Sequence, residues 1–293
     1  MVQKNHRKVK ILETYRDALQ SIPGFIPTDK KVQAINTLLE VNFDILDVGS
    51  FVSEKFVPQF KDMDAVLNQI QKGNSITEIF VLTATPEGAN KAAQHKIIDI
   101  IGYPFSTSPT FLNKNINRNF DEAWVDIVKI QDICQKYNKD LMLYLAMAFG
   151  NPYGDPVEIK DIFSWVQKFS SIGITYISLS DIIGVASPQF IADAYQTFTT
   201  NFPDIEFGLH LHTKPNDWEQ KIEAAYTNGC TIFDGVISGL GGCPMTGYEM
   251  LGNLPTAKLV DFFLKKGIPL QPGKDKFEKA LTMSNDYIQP GKQ

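Results

Sequence analysis

The sequence predicts an α/β fold whose eight parallel strands close into a (β/α)8 barrel, in a single domain. Three observations lead there. Eight short β-branched and apolar runs alternate with amphipathic helical patterns along the 293 residues. Their spacing is close to the ~30 residues of a strand–helix–strand unit, which calls for a parallel sheet. No glycine-rich phosphate loop follows the first run, so an open doubly wound sheet is the weaker alternative.

The strands are expected at residues 9–14 (VKILET), 44–49 (DILDVG), 78–83 (EIFVLT), 97–102 (IIDIIG), 141–147 (LMLYLAM), 176–181 (YISLSD), 207–212 (FGLHLH) and 231–237 (TIFDGVI). Helices are expected between them, at 29–42, 121–138, 187–202 and 217–229, the last ending on Gly229 as a left-handed cap. No internal repeat or low-complexity linker divides the chain, so residues 1–293 are read as one domain. The barrel is expected over about 8–270, with a last helix and tail over 271–293.

Composition narrows the function. Apolar residues make up 43% and charged residues 21%, an ordinary globular balance. The net charge of −5 and the dispersed basic residues argue against a nucleic-acid surface. No apolar run approaches the ~18 residues of a membrane span, and the basic start MVQKNHRKVK is followed by no apolar core of a secretory signal. Three cysteines without CxxC spacing make neither a disulfide framework nor a thiolate zinc site. A reducing compartment, the cytoplasm, is expected.

In a barrel of this kind, chemistry belongs at the carboxyl ends of the strands. Arg16 and Asp17 follow strand 1, Asp47 ends strand 2, Ser178 and Asp181 end strand 6, and His210 and His212 end strand 7. Strand 8 leads into SGLGGCP, and Asn253 precedes the next helix. Side chains two apart in a strand share a face, so His210 and His212 point together. They are either metal ligands or a pair of satisfied core histidines, and four imidazole nitrogens in a crowded lumen are hard to satisfy. Two histidines with a carboxylate form a mixed N/O set suited to Mg2+, Mn2+ or Zn2+. Arg16 beside Asp17 also suits a surface ion pair, and Asp47 and Asp181 also suit helix caps. Gly239, Gly241 and Gly242 let the backbone approach another group closely and would carry Cys243 on a mobile arm; a tight turn with an inert cysteine is the plainer alternative.

The motifs RDALQ, GSFVSEKFVPQ, SLSDIIGV, HLH, and SGLGGCP followed by GN occur in that order. Together they resemble the 3-hydroxy-3-methylglutaryl-CoA lyase family, from about residue 8 to 285. The resemblance implies a TIM barrel of the metal-dependent lyase and Claisen-condensing superfamily. It also implies retro-Claisen cleavage of 3-hydroxy-3-methylglutaryl-CoA to acetoacetate and acetyl-CoA. By the same resemblance, Asp17, His210, His212 and Asn253 are metal ligands for Mg2+ or Mn2+. Arg16 would stabilise the thioester enolate and Cys243 would move a proton. Asp47 and His210 join the catalytic set, while Arg16, Asp181 and Asn115 would face the acyl-CoA substrate. Barrels of this family often pair, so a homodimer is expected.

The chain also departs from the family pattern. Ala18 replaces a glycine, Pro23 a lysine, Asp47 a glutamate, Thr213 an aspartate, and Asn151 a cysteine. Ala257 stands where the family has a carboxylate, and Met245 where it has an aromatic. These changes leave two alternatives: an aldolase or Claisen-type enzyme for another acyl-CoA or 2-oxo acid, and a weakened barrel kept as a binding protein.

Overall fold

In a computed structural model that describes residues 8–214, 216–242 and 251–288 (the side chains of 274 and 284–288 excepted), eight parallel strands close in chain order, β8 returning to β1. The strands are β1 (Lys10–Glu13), β2 (Ile45–Ser50), β3 (Glu78–Leu82), β4 (Ile100–Ser106), β5 (Asp140–Ala146), β6 (Tyr176–Asp181), β7 (Glu206–Leu211) and β8 (Ile232–Gly235). A short α1 (Tyr15–Gln20) and α2 (Thr28–Val41) follow β1, and α3 (Met63–Leu67) follows β2. Then come α4 (Pro86–Ala93), α5 (Pro109–Ile116), α6 (Phe120–Tyr137), α7 (Ile159–Ser171), α8 (Pro188–Asn201), α9 (Trp218–Thr227), α10 (Thr256–Lys265) and α11 (Lys274–Ile288).

Local sequence explains many of the boundaries. Thr85-Pro86, Ser108-Pro109 and Ser187-Pro188 open α4, α5 and α8, with each hydroxyl accepting from the amide three residues on. Proline supplies a helical φ where no amide is needed, and the hydroxyl satisfies an orphan donor. Asn119 and Glu122 form a reciprocal capping box on α6, which closes on left-handed Asn138. Gly229, just past α9, adopts φ +103°.

Alternation divides the strands between two cores. Leu12, Ile45, Phe80, Ile100, Met142 and Ile232 fill the lumen, and the alternate residues pack outward beneath the helices. Full burial of each such side chain contributes about 1.5–3 kcal/mol. At the amino-terminal end the lumen is sealed by Lys10, which meets Glu206 at 2.8 Å. The carboxyl-terminal end, with its polar side chains, is left to the site.

One strand lies later than the sequence indicated. The run at 97–102 was expected to pair, but β4 begins at Ile100 and continues through Pro104 to Ser106. It pairs with β3 only from Ile100 to Gly102 and with β5 along its whole length. Beyond Gly102 one edge is free, and an unpaired edge is where a strand accepts proline. In β2 the register to β3 shifts between Asp47 and Gly49, a bulge directly after a lumenal carboxylate.

Candidate active site

The helix α1 starts immediately after β1, which is why Arg16 and Asp17 sit over the lumen. Thr14 ties the junction to β8, its amide and hydroxyl both donating to the Gly235 carbonyl at 2.8 and 3.1 Å. Arg16 and Asp17 are each 7% exposed, so this is no surface ion pair. Arg16 Nε donates to Asp47 Oδ2 at 2.7 Å, and Nη1 donates to Asp17 Oδ1 at 3.2 Å and Gln20 Oε1 at 2.6 Å. Asp47 therefore holds the guanidinium rather than capping a helix, and its Oδ1 is buried without a protein partner among the described residues. Burial pushes Asp47 up to about 7 against the pull of Arg16. Burial also opposes charge on Asp17, but Arg16 and then the two histidines hold its carboxylate below the usual range.

His210 and His212 share the lumenal face, as strand alternation requires. Their Nε2 atoms lie 3.1 Å apart. His210 Nδ1 is 3.0 Å from Asp234 Oδ2, and His212 Nδ1 is 2.9 Å from the Leu251 carbonyl oxygen. Both partners are acceptors, so each ring donates from Nδ1, and when both rings are neutral each keeps its Nε2 lone pair for the centre. Burial lowers His212, with the neighbouring His210, to about 4. Burial acts the same way on His210, yet the hydrogen bond and charge of Asp234 leave it raised.

Asn253 arrives on the segment after the glycine loop, which bridges His212 and continues to β8 through Val236 and Pro255. Its Nδ2 donates to Asp17 Oδ2 at 2.5 Å and to the Leu240 carbonyl at 2.9 Å. Gly241, at φ +116°, passes so close that a Cβ there would lie 2.2 Å from Asn253 Nδ2 and 3.0 Å from Asp17 Oδ2. The glycine loop thus needs its freedom for close approach to this centre.

Among the described residues, Asp17, His210 and His212 offer three ligand atoms within 4.8 Å of one another. A cation fits them on two grounds. With both rings neutral, two imidazole lone pairs face each other at 3.1 Å, an arrangement that only a proton or a metal cation between them relieves. Asp17 and Asp234 also bring carboxyl oxygens to this end of the lumen, with Arg16 the guanidinium bonded to Asp17. The donors are nitrogen and oxygen, which suits a divalent ion of the Mg2+, Mn2+ or Zn2+ kind.

Of the other expected site residues, Asp181 turns away from this centre. Asp181 pairs in register with Leu211, the outward residue between the histidines. Its carboxylate accepts from the amides of Val185 and Ala186, at 3.0 and 2.8 Å, and faces Lys221 at 3.7 Å. It holds the loop ahead of α8, whose cap is Ser187. Asn115 is half-buried near the end of α5. Cys243 and Met245 lie outside the described residues.

Two residues that the strand-end reading passed over belong here. Asp234, on β8, accepts from Tyr144 Oη at 2.9 Å as well as from His210. Tyr144, on β5, stacks edge-on to His210 with centroids 5.8 Å apart. Burial and the charges of Asp234 and Asp47 hold its phenol well above the usual range, so it remains a donor. The available signal was a lone charged or phenolic residue inside an otherwise apolar run, TIFDGVI or LMLYLAM.

The HMGL-like family model matches residues 8–281. The human mitochondrial hydroxymethylglutaryl-CoA lyase is 32% identical over 286 residues, covering 97% of this chain and 86% of that protein. The Bacillus subtilis HMG-CoA lyase structure superposes with a TM-score of 0.89 at 28% identity, covering 97% of this chain and 96% of that one. An HMG-CoA lyase from Acinetobacter baumannii, solved with coenzyme A and 3-methylmalate, gives a TM-score of 0.88 at 27% identity, covering 96% and 91%. No helix among the described residues is long and apolar enough to cross a membrane. The chain belongs to the HMGL-like family, and it is a carbon–carbon lyase of the HMG-CoA lyase type.

Proposed function

We propose that the chain cleaves 3-hydroxy-3-methylglutaryl-CoA to acetoacetate and acetyl-CoA in a reaction dependent on Mg2+ or Mn2+. The observation that carries this reading is the convergence of Asp17, His210 and His212 on one point, with Arg16 bonded to Asp17 at 3.2 Å. The acyl-CoA substrate class is supported by the coenzyme A complex of the A. baumannii relative. Action as one barrel domain, in the cytoplasm and as a homodimer, belongs to the same proposal.

The reaction asks the protein for three things. The tertiary hydroxyl passes its proton to a base as the bond between C2 and C3 breaks, a role that suits Asp47 through its Oδ1, unpartnered among the described residues. The bonding electrons pass to the thioester enolate, and C2 then gains a proton. Bound by Asp17, His210 and His212 with Asn253 beside them, a divalent cation would acidify that hydroxyl and orient the substrate. Arg16 serves the enolate: Asp47 and Gln20 fix its guanidinium on two sides, so the charge is oriented before the thioester oxygen becomes negative. Cys243, by resemblance to the family, returns the proton to C2. Leu12, Phe80 and Met142 close the lumen below and keep water from the enolate.

The test is direct. Purified protein with Mg2+ or Mn2+ and 3-hydroxy-3-methylglutaryl-CoA should release acetyl-CoA and acetoacetate in equal amounts, and removing the metal should stop it. Absence of acetyl-CoA with every divalent ion tried would reject the reading.

A further inference from the structure

The two imidazoles are held by different groups. His212 leans on a neutral backbone carbonyl, Leu251 O, at 2.9 Å. His210 leans on a carboxylate, Asp234 Oδ2, at 3.0 Å, and that same oxygen accepts from Tyr144 at 2.9 Å. All three side chains of this second set are buried, at 7% exposure or less. They come from three different strands, β5, β7 and β8.

We infer that Asp234 is the positioning residue of the centre: it fixes His210 in the Nδ1–H tautomer, and Tyr144 steadies the oxygen that does so. This rests on the reading of Asp17, His210 and His212 as holders of a divalent cation. An imidazole has one proton for two nitrogens when neutral. If His210 carried it on Nε2, the proton would point at His212 Nε2, 3.1 Å away, and no lone pair would remain for a cation. A carboxylate at Nδ1 prevents this, and it makes Nε2 a stronger donor to a cation than a carbonyl partner would. Asp234 is not itself a ligand, since its Oδ2 already serves two donors and its Oδ1 is enclosed without a partner among the described residues. Tyr144 restricts the carboxylate: with the phenol and the imidazole on one oxygen, the group has no freedom to rotate away from His210.

The experiment uses the full chain and needs no substrate, so its outcome is separate from that of the cleavage assay. Mn2+ binding is measured by calorimetry for wild type, Asp234→Asn, Asp234→Ala and Tyr144→Phe, each checked by circular dichroism for its fold. Asp234→Asn keeps an acceptor without its charge and should weaken Mn2+ binding by about 10- to 100-fold. Asp234→Ala should weaken it further, and Tyr144→Phe should weaken it least. In parallel, 15N–1H correlation spectra of histidine-labelled wild type report tautomers directly, an assignment made practical by the presence of only four histidines. The expected spectrum shows His210 as Nδ1–H in Mg2+-loaded protein, and in metal-free protein once the pH is high enough to leave the ring neutral. Wild-type Mn2+ affinity in folded Asp234→Asn overturns the inference, as does a neutral His210 protonated on Nε2 rather than Nδ1 in metal-free wild type. Should wild type bind no Mn2+, the metal reading falls, and the metal-free spectrum still decides the role of Asp234.

Discussion

His210 and His212 present their Nε2 atoms to each other at 3.1 Å while their Nδ1 atoms are both engaged elsewhere. With both rings neutral, such an arrangement sets two lone pairs against each other, which a bound cation relieves, so binding should stabilise the fold. With free Mn2+ at a hundred times its dissociation constant, the gain is about 2.7 kcal/mol. Thermal melts should rise by several degrees on adding Mn2+ and fall back with chelator. In His212→Ala that rise should vanish. A variant that still gains the full increment would place the cation elsewhere.

Arg16 and Asp47 form a buried pair at 2.7 Å, and the burial makes the pair asymmetric in what it tolerates. Removing the carboxylate leaves a guanidinium enclosed with less counter-charge, a change that costs about 3–5 kcal/mol. Asp47→Ala should therefore lower stability by that order in urea, whereas Asp47→Asn keeps an acceptor for Nε and should cost less. Arg16→Gln should lower kcat by about a hundredfold or more with a smaller effect on Mn2+ affinity, since the arginine serves developing negative charge. Equal losses in kcat and in metal affinity would instead assign Arg16 to holding Asp17.

Much of this was legible from residue order alone. Period-two alternation put both histidines on one face, and the helical pattern from residue 187 marked α8; α4 and α5, outside the expected helices, open on the same Ser/Thr-Pro pairing. Local pattern failed where a partner from another strand decides the matter. Pro104 looks like a breaker until β3 is known to stop pairing at Gly102. Asp181 looks like a site residue until its register against Leu211 turns it outward. The Tyr144–Asp234 bond joins residues 90 positions apart, which no spacing rule anticipates. The glycine loop was legible as a close approach, but not its target.

That target is the Asp17–Asn253 contact. Gly241 lies at φ +116°, and a Cβ would fall 2.2 Å from Asn253 Nδ2, well inside van der Waals distance. Gly241→Ala adds backbone strain of about 1–3 kcal/mol and forces the amide away from Asp17. Stability should drop by that order, and Mn2+ affinity should drop with it, although the substitution touches neither histidine. Gly24 makes the control: it too has positive φ, +84°, but nothing lies within 4 Å of its missing Cβ. Gly24→Ala should cost strain alone and leave metal binding intact. If both variants bind Mn2+ equally well, the loop's approach to Asn253 has no bearing on the centre.

Glu13 gives the fold a pH dependence of its own, away from the cation site. On the outward face of β1, its Oε1 accepts from the Ile237 amide at 2.7 Å and its Oε2 from Thr256 Oγ1 at 2.5 Å. Burial outweighs these bonds and pushes the carboxyl from 4.5 up to about 8. The native state therefore holds a proton that the unfolded chain releases, and stability falls with rising pH wherever the folded form binds more protons. The contribution is full below about pH 4.5, declines as pH rises, and is lost by about pH 8. Glu13→Gln offers an uncharged acceptor and donor of the same length, so its stability should lack this decline. Urea denaturation between about pH 4 and 9 should show wild type losing ground to the variant steadily across that window. A difference that stays constant over the window would mean that Glu13 is ionised in the native fold.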